Sequence, residues 1–250
     1  MRRLLVLVLL VPLLAAPSAR AGVPAYHPTR LRHVGDSRQV VVVTSKGWGS
    51  SYAQLRAYRQ DAQGEWHLRF GQWSARVGWN GMARAAERRQ DSGTTPAGTF
   101  RMLYGFGSAA DPGGSLDYRR FDNNDWWVYD PRDPRTYNVW EPFRSGRAQW
   151  RRGWAEHLAD WAGGQYRYGV VLSYNLPTGV HWSSTLRQRV ATDTADTRRG
   201  GGIFLHVKGS GATAGCVSVA RDRMRTLLRW LDASRRPRIV IGPTSAIDSM

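Results

Sequence analysis

The chain contains one cysteine, Cys216, and His206 stands ten positions before it. Between them runs a stretch of small residues, Gly209-Ser210-Gly211-Ala212-Thr213-Ala214-Gly215. Only the thiolate of a cysteine attacks a carbonyl, and a free thiol, with a pKa of about 8.5, is mostly protonated at neutral pH. A neighbouring imidazole can take that proton and hold a thiolate–imidazolium pair. The spacing therefore predicts a thiol that is alkylated faster than free cysteine, with a rate profile displaced to lower pH. The backbone N–H groups of Gly215 and Cys216 are candidate donors to a developing oxyanion, because a glycine turn lets a carbonyl approach closely. The opposing reading is a small buried hydrophobe beside a structural histidine.

The start of the chain weighs on that choice. Met1-Arg2-Arg3 is basic, residues 4–14 are apolar apart from Pro12, and Ala19-Arg20-Ala21 is a small-residue cleavage site. This is the layout of a secretory signal peptide over residues 1–21, with cleavage expected before Gly22. The apolar run is too short for a membrane span, so no stable span is expected after cleavage. Export to the periplasm, cell wall or extracellular space follows. In an oxidising compartment an odd cysteine is either an intermolecular crosslink or a reactive thiol, which favours the nucleophile.

The formal net charge is +17, and only Lys46 and Lys208 are lysines; every other cation is arginine. A strongly basic exported protein meets anionic surfaces such as wall polymers. Charge alone does not make a nucleic-acid binder, and no such partner is expected.

Several elements must position the cysteine and the histidine. An apolar run at 203–207 predicts the strand that presents His206. After Cys216, apolar residues at Ala220, Met224, Leu227, Leu228 and Leu231 predict a helix over 219–233, with Ser218 as its N-cap. Such a helix would bring its positive N-terminal end to the thiol. Further strands are expected at 39–44, at 53–60 and 65–70 (a hairpin about Asp61-Ala62-Gln63-Gly64), at 73–77, 101–104, 168–174 and 238–241. Thr95-Pro96-Ala97-Gly98-Thr99-Phe100 reads as a turn feeding a strand. Residues 106–163, rich in Trp, Tyr, Asp and Arg, read as a long insertion: mostly loop, with a strand at 126–130 and a short helix at 154–161. Its aromatic residues are either a sugar-stacking surface or a self-buried cluster. Asp122-Asn123-Asn124-Asp125 lacks the spacing of a calcium loop. Residues 175–201 read as a polar connection carrying His181, which is either a loop residue or a second imidazole for the site. Many short strands with one or two helices describe a mainly β domain, a sandwich, over residues 22–250.

Three pieces in this order resemble the L,D-transpeptidase catalytic-domain family, exported enzymes that crosslink peptidoglycan: Thr95-Pro96-Ala97-Gly98-Thr99-Phe100, Phe204-Leu205-His206 with Gly209 after it, and Thr213-Ala214-Gly215-Cys216-Val217. The resemblance spans roughly residues 39–242. It implies a β-sandwich and an acyl transfer in which Cys216 is the nucleophile, His206 the base, and the backbone at Gly215 and Cys216 the oxyanion site. It also implies peptidoglycan stem peptides as partners, cleaved between the third residue and a D-Ala, and no metal or organic cofactor. The acyl acceptor is an amine of a second stem in a transpeptidase or water in an L,D-carboxypeptidase; a basic wall-binding protein without activity is the non-enzymatic alternative. Two positions depart from the family pattern: Ala214 stands where His or Lys is usual, and Ser218 where Arg or Asn is usual.

Overall fold

The computed structural model describes residues 23–143, 148 and 150–250; the signal-peptide reading of residues 1–21 lies outside the described residues. Four consecutive valines make the first strand, β1 (Gln39–Ser45), which is buried along its whole length and therefore covered on both faces. It is followed by the hairpin β2 (Tyr52–Gln60) and β3 (Trp66–Arg76), then by the short β4 (Met82–Arg84), which lies parallel to the start of the long β5 (Thr95–Gly107). Residues 106–163 contribute β6 (Tyr118–Arg120), β7 (Asp125–Val128), β8 (Val139–Pro142) and β9 (Ala155–His157). Then come β10 (Gly169–Leu172), the hairpin β11 (His181–Ser183) and β12 (Gln188–Val190), β13 (Phe204–Val207), β14 (Val217–Val219), the helix α1 (Arg221–Trp230) and β15 (Arg238–Pro243).

The main sheet runs β10-β13-β14-β3-β2-β1-β15-β5, and β5 also pairs with β10. The sheet thus closes on itself into a mainly β, sandwich-like barrel, as the strand-rich pattern predicts. Closure removes free edges. Val41 lies between Ala57 and Ile239, and this register holds along all of β1. The main hydrophobic core takes in Val40–Val43, Leu55, Leu205, Val207, Val217, Val219 and Ile239–Ile241, with the consecutive residues of β1 and β15 contributing to both faces of the sheet. Met224, Leu227 and Leu228, spaced i, i+3, i+4, put the apolar stripe of α1 into the same core. Gln39 ties the end of α1 to β1: its Nε2 donates to the Trp230 carbonyl at 2.8 Å and its Oε1 accepts from the Asp232 N–H at 2.8 Å.

A second core lies outside the barrel. It joins Phe106, Val171, Phe204 and Cys216 to Phe121, Trp127, Trp140, Leu158 and Tyr166. Phe204 is its hub, with Trp127 at 4.8 Å, Phe106 at 5.0 Å and Tyr166 at 5.7 Å, all edge to face. Such pairs each add about 0.5–1.5 kcal/mol beyond their burial. Phe121, Trp127 and Trp140 of 106–163 are therefore buried against the outer face of the barrel, while Trp161 stays exposed.

Four local expectations are corrected. The segment 106–163 carries a three-stranded sheet, β8-β7-β9, rather than one strand. Its predicted helix at 154–161 is instead β9 followed by a 3-10 turn at Leu158–Trp161, because Ala155–His157 pairs with β7. The connection 175–201 contains the β11–β12 hairpin. Finally, α1 begins at Arg221 with Ala220 as its N-cap, not Ser218. Val217-Ser218-Val219 alternates with period two and is claimed by β13, so Ser218 is a strand residue and the helix end is displaced from the thiol.

Candidate active site

His206 and Cys216 come to one face because of two neighbouring parallel strands, with Cys216 immediately before β14 and two positions before the residue opposite His206. β13 and β14 are parallel, with His206 opposite Ser218 and Leu205 opposite Val217. Alternation sends Leu205, Val207, Val217 and Val219 into the barrel and leaves Phe204, His206, Cys216 and Ser218 on the outer face. Both His206 and Cys216 line one cleft of about 410 Å³ between the barrel and the 106–163 segment.

The imidazole of His206 is buried, and its Nδ1 lies 2.8 Å from the Val207 carbonyl. A carbonyl only accepts, so Nδ1 carries the proton in the neutral ring and Nε2 is the acceptor. The group that orients His206 is thus the backbone of the next residue. Tyr166 stands edge-on to the ring at 5.6 Å. Burial pushes the imidazole down to about 4, against a smaller upward pull from the Val207 carbonyl.

The Cys216 sulfur is held between two backbone groups. The Phe204 N–H donates to Sγ at 3.3 Å, and the thiol donates to the Gly202 carbonyl at 3.2 Å. Burial pushes the thiol up to about 12; the Phe204 N–H and Arg88 favour the thiolate, while Glu156 opposes it. With the imidazole at about 4 and the thiol at about 12, the resting pair is neutral. The thiolate–imidazolium pair expected from spacing gives way here, because spacing carries no information on desolvation. The displaced start of α1 also removes the helix end that would have favoured an anion.

The turn before Cys216 is fixed by hydroxyls. Thr213 Oγ1 donates to the Cys216 carbonyl at 2.6 Å and accepts from the Gly215 N–H at 3.2 Å. Thr95 Oγ1 donates to the same carbonyl at 3.1 Å and accepts from the Gly78 N–H at 2.8 Å. Thr95-Pro96-Ala97-Gly98, which reads from sequence as a turn feeding a strand, is instead the first part of β5 itself, because it pairs with β4 and β15, and its Thr95 braces the Cys216 carbonyl. Gly215 has φ 148°, and a Cβ there would lie 2.9 Å from Arg88 Nη2 and 3.0 Å from the Thr94 carbonyl, so glycine is required twice over.

Among the further side chains that line this cleft and that sequence reading did not single out are Arg88, Glu156 and Tyr166. Tyr166 donates to Glu156 Oε2 at 2.8 Å. Burial raises the Glu156 carboxyl to about 7, against the Tyr166 hydrogen bond, with Asp160 adding to the rise. The only signal for Arg88 was its place just ahead of Thr95-Pro96. Glu156 carried none: its partner Tyr166 is only ten residues on, but Cys216 and Arg88 reach the same cleft from distant parts of the chain.

His181 does not enter the site. It is exposed on β11, bonded through Nδ1 to the Gly179 carbonyl at 2.9 Å, and lines a different cleft with Arg119, Trp182 and Arg189. The Asp122–Asp125 run folds as a turn closed by its own carboxylates, with Asn124 N–H on Asp122 Oδ1 at 2.7 Å and Asp122 N–H on Asp125 Oδ2 at 2.8 Å. Among the described residues no helix is long and apolar enough to cross a membrane.

Comparison with known proteins gives one finding. The YkuD family model, described as the L,D-transpeptidase catalytic domain, matches residues 50–241. No curated protein matches the chain, and neither does any solved structure.

Proposed function

The chain belongs to the L,D-transpeptidase catalytic-domain family, and on that premise we propose that it is an exported cysteine acyltransferase that acts on peptidoglycan stem peptides through Cys216 and His206. The observation that carries this reading is the arrangement on β13 and β14: one cleft lined by the thiol and by an imidazole whose Nδ1 proton is committed to Val207.

The neutral resting pair sets the order of events. The substrate carbonyl enters the cleft and displaces water. Cys216 passes its proton to Nε2 of His206 as sulfur bonds to the carbonyl carbon, so a buried thiolate need not accumulate beforehand. The oxyanion is received by the N–H groups of Gly215 and Cys216; the long Gly215–Thr213 contact of 3.2 Å is the bond exchanged for it. The intermediate collapses, and the imidazolium gives its proton to the departing amine of D-Ala. A thioester on Cys216 remains. The amine of a second stem then attacks, loses its proton to His206, and expels the thiol as the crosslink forms. Residues 22–250 act as one catalytic domain in this account, with 106–163 forming the outer wall of the cleft.

The test is product analysis by mass spectrometry after incubating tetrapeptide muropeptides with the protein lacking residues 1–21, beside Cys216→Ala. A Cys216-dependent crosslinked dimer with loss of D-Ala is the expected result. Loss of D-Ala without dimer assigns water as the acceptor and makes the enzyme an L,D-carboxypeptidase. Turnover by Cys216→Ala, or none by the wild type, overturns the reading.

A further inference from the structure

Arg88 is built into the cleft in an unusual way. The residue is 4% exposed. Nε donates to the Thr94 carbonyl at 2.8 Å and Nη1 to the Arg199 carbonyl at 2.6 Å. The group lies between two glycines: a Cβ at Gly200 would meet Nη1 at 1.9 Å, and one at Gly215 would meet Nη2 at 2.9 Å. Among the described residues no carboxylate forms an ion pair with it. A buried guanidinium is costly unless an anion or a full set of acceptors compensates it. Here two backbone carbonyls fix its plane, and the Nη2 corner is turned toward Gly215, the residue next to the nucleophile.

We propose that Arg88 is the subsite for the free carboxylate of the leaving amino acid, and so makes the enzyme select acyl donors that end one residue beyond the bond it breaks. This rests on the acyl-transfer reading above. In such a donor the terminal carboxylate carbon is three bonds from the attacked carbonyl carbon, about 3–4 Å away with standard bond lengths. A donor bound for attack by Cys216 therefore carries a negative charge within reach of a cation beside Gly215. Arg88 is suited to it because guanidinium meets carboxylate through paired N–H groups and its own orientation is already fixed. A donor extended by one more residue presents a neutral amide at that place and leaves the cation uncompensated.

The experiment compares a tetrapeptide donor with a free C-terminal carboxylate against the same peptide as its C-terminal amide, reading kcat/KM for loss of the fourth residue. The wild type is expected to favour the acid by about 10- to 100-fold, the range for a charge-assisted bond. Arg88→Gln should abolish that preference and Arg88→Lys should restore part of it. Loss of a merely structural role, holding Thr94 and Arg199, slows acid and amide alike and leaves the ratio intact. Equal rates for acid and amide in the wild type, or an unchanged ratio in Arg88→Gln, overturn the proposal while the acyl-transfer reading stands. A second arm needs no peptide: alkylation of Cys216 by iodoacetate relative to iodoacetamide. The wild type should show a ratio above that of free cysteine, falling to it in Arg88→Gln. If no stem peptide is processed, a raised, Arg88-dependent ratio keeps the carboxylate site and removes the stem-peptide assignment; a ratio equal to that of free cysteine overturns the carboxylate site too.

Discussion

Burial governs the chemistry of Cys216 and His206 more than their mutual proximity does. A thiol at about 12 has far less thiolate at neutral pH than a free cysteine, so Cys216 should react with iodoacetamide at pH 7 at least about 100-fold more slowly than a small thiol. Alkylation faster than the small thiol would mean that the resting pair is ionised. The base has the complementary signature. An imidazole at about 4 stays neutral down to that pH, so the acid limb of kcat/KM should have its midpoint near 4. A midpoint near 6.5 would contradict a desolvated His206. The pair itself is legible in the sequence, because an odd cysteine after a glycine-rich loop and a strand histidine are local patterns. Its protonation state is not legible, since Phe204, Gly202 and Tyr166 form the environment of these groups only once the chain has folded.

The strands β13 and β14 place the nucleophile, but the 106–163 segment holds it still. Asn138 is the link between them. Its Oδ1 accepts from Trp127 Nε1 at 2.7 Å and from the Gly202 N–H at 2.8 Å, and its Nδ2 donates to the Asn175 carbonyl at 2.6 Å. Gly202 in turn supplies the carbonyl that accepts the hydrogen bond of the resting thiol. Asn138→Leu strands buried donors and acceptors and should cost about 2–4 kcal/mol of stability. Because it frees Gly202, it should also change the rate of Cys216 alkylation, whereas Trp140→Phe, on the far side of Phe106, should leave that rate close to wild type. Urea unfolding and alkylation kinetics read both. The sequence shows the aromatic weight of this segment, and the self-buried reading of it is the one the fold adopts. It does not show the β8-β7-β9 sheet, whose strands are only three or four residues long and whose pairing is decided by Phe204 on the barrel outside the segment. The start of α1 was misplaced for a similar reason: the pairing of Ser218 with His206 overrides the local helical signal.

At the scale of the whole molecule, the closed barrel supplies a rigid core and the site is assembled on its outside. Two titratable groups in the cleft, the buried His206 and the half-buried Glu156, oppose each other in stability. His206 is lowered from 6.5 to about 4, so the unfolded chain takes up its proton first and stability rises with pH between about 4 and 6.5. Glu156 is raised from 4.5 to about 7, so the unfolded chain loses its proton first and stability falls between about 4.5 and 7. Glu156→Gln removes only the second effect. Its stability should therefore rise more steeply with pH than that of the wild type between 4.5 and 6.5, by up to about 1.4 kcal/mol per pH unit. Parallel denaturant curves for the two proteins would show instead that Glu156 is solvated like an ordinary carboxylate. The claim on which the rest depends is that Cys216 carries the acyl group, and intact-protein mass spectrometry during turnover of a tetrapeptide muropeptide tests it most directly. The account predicts a wild-type adduct equal to the donor less its C-terminal residue, mapped to Cys216 and absent from Cys216→Ala. Turnover with no adduct on Cys216, or an adduct that persists in Cys216→Ala, would contradict it.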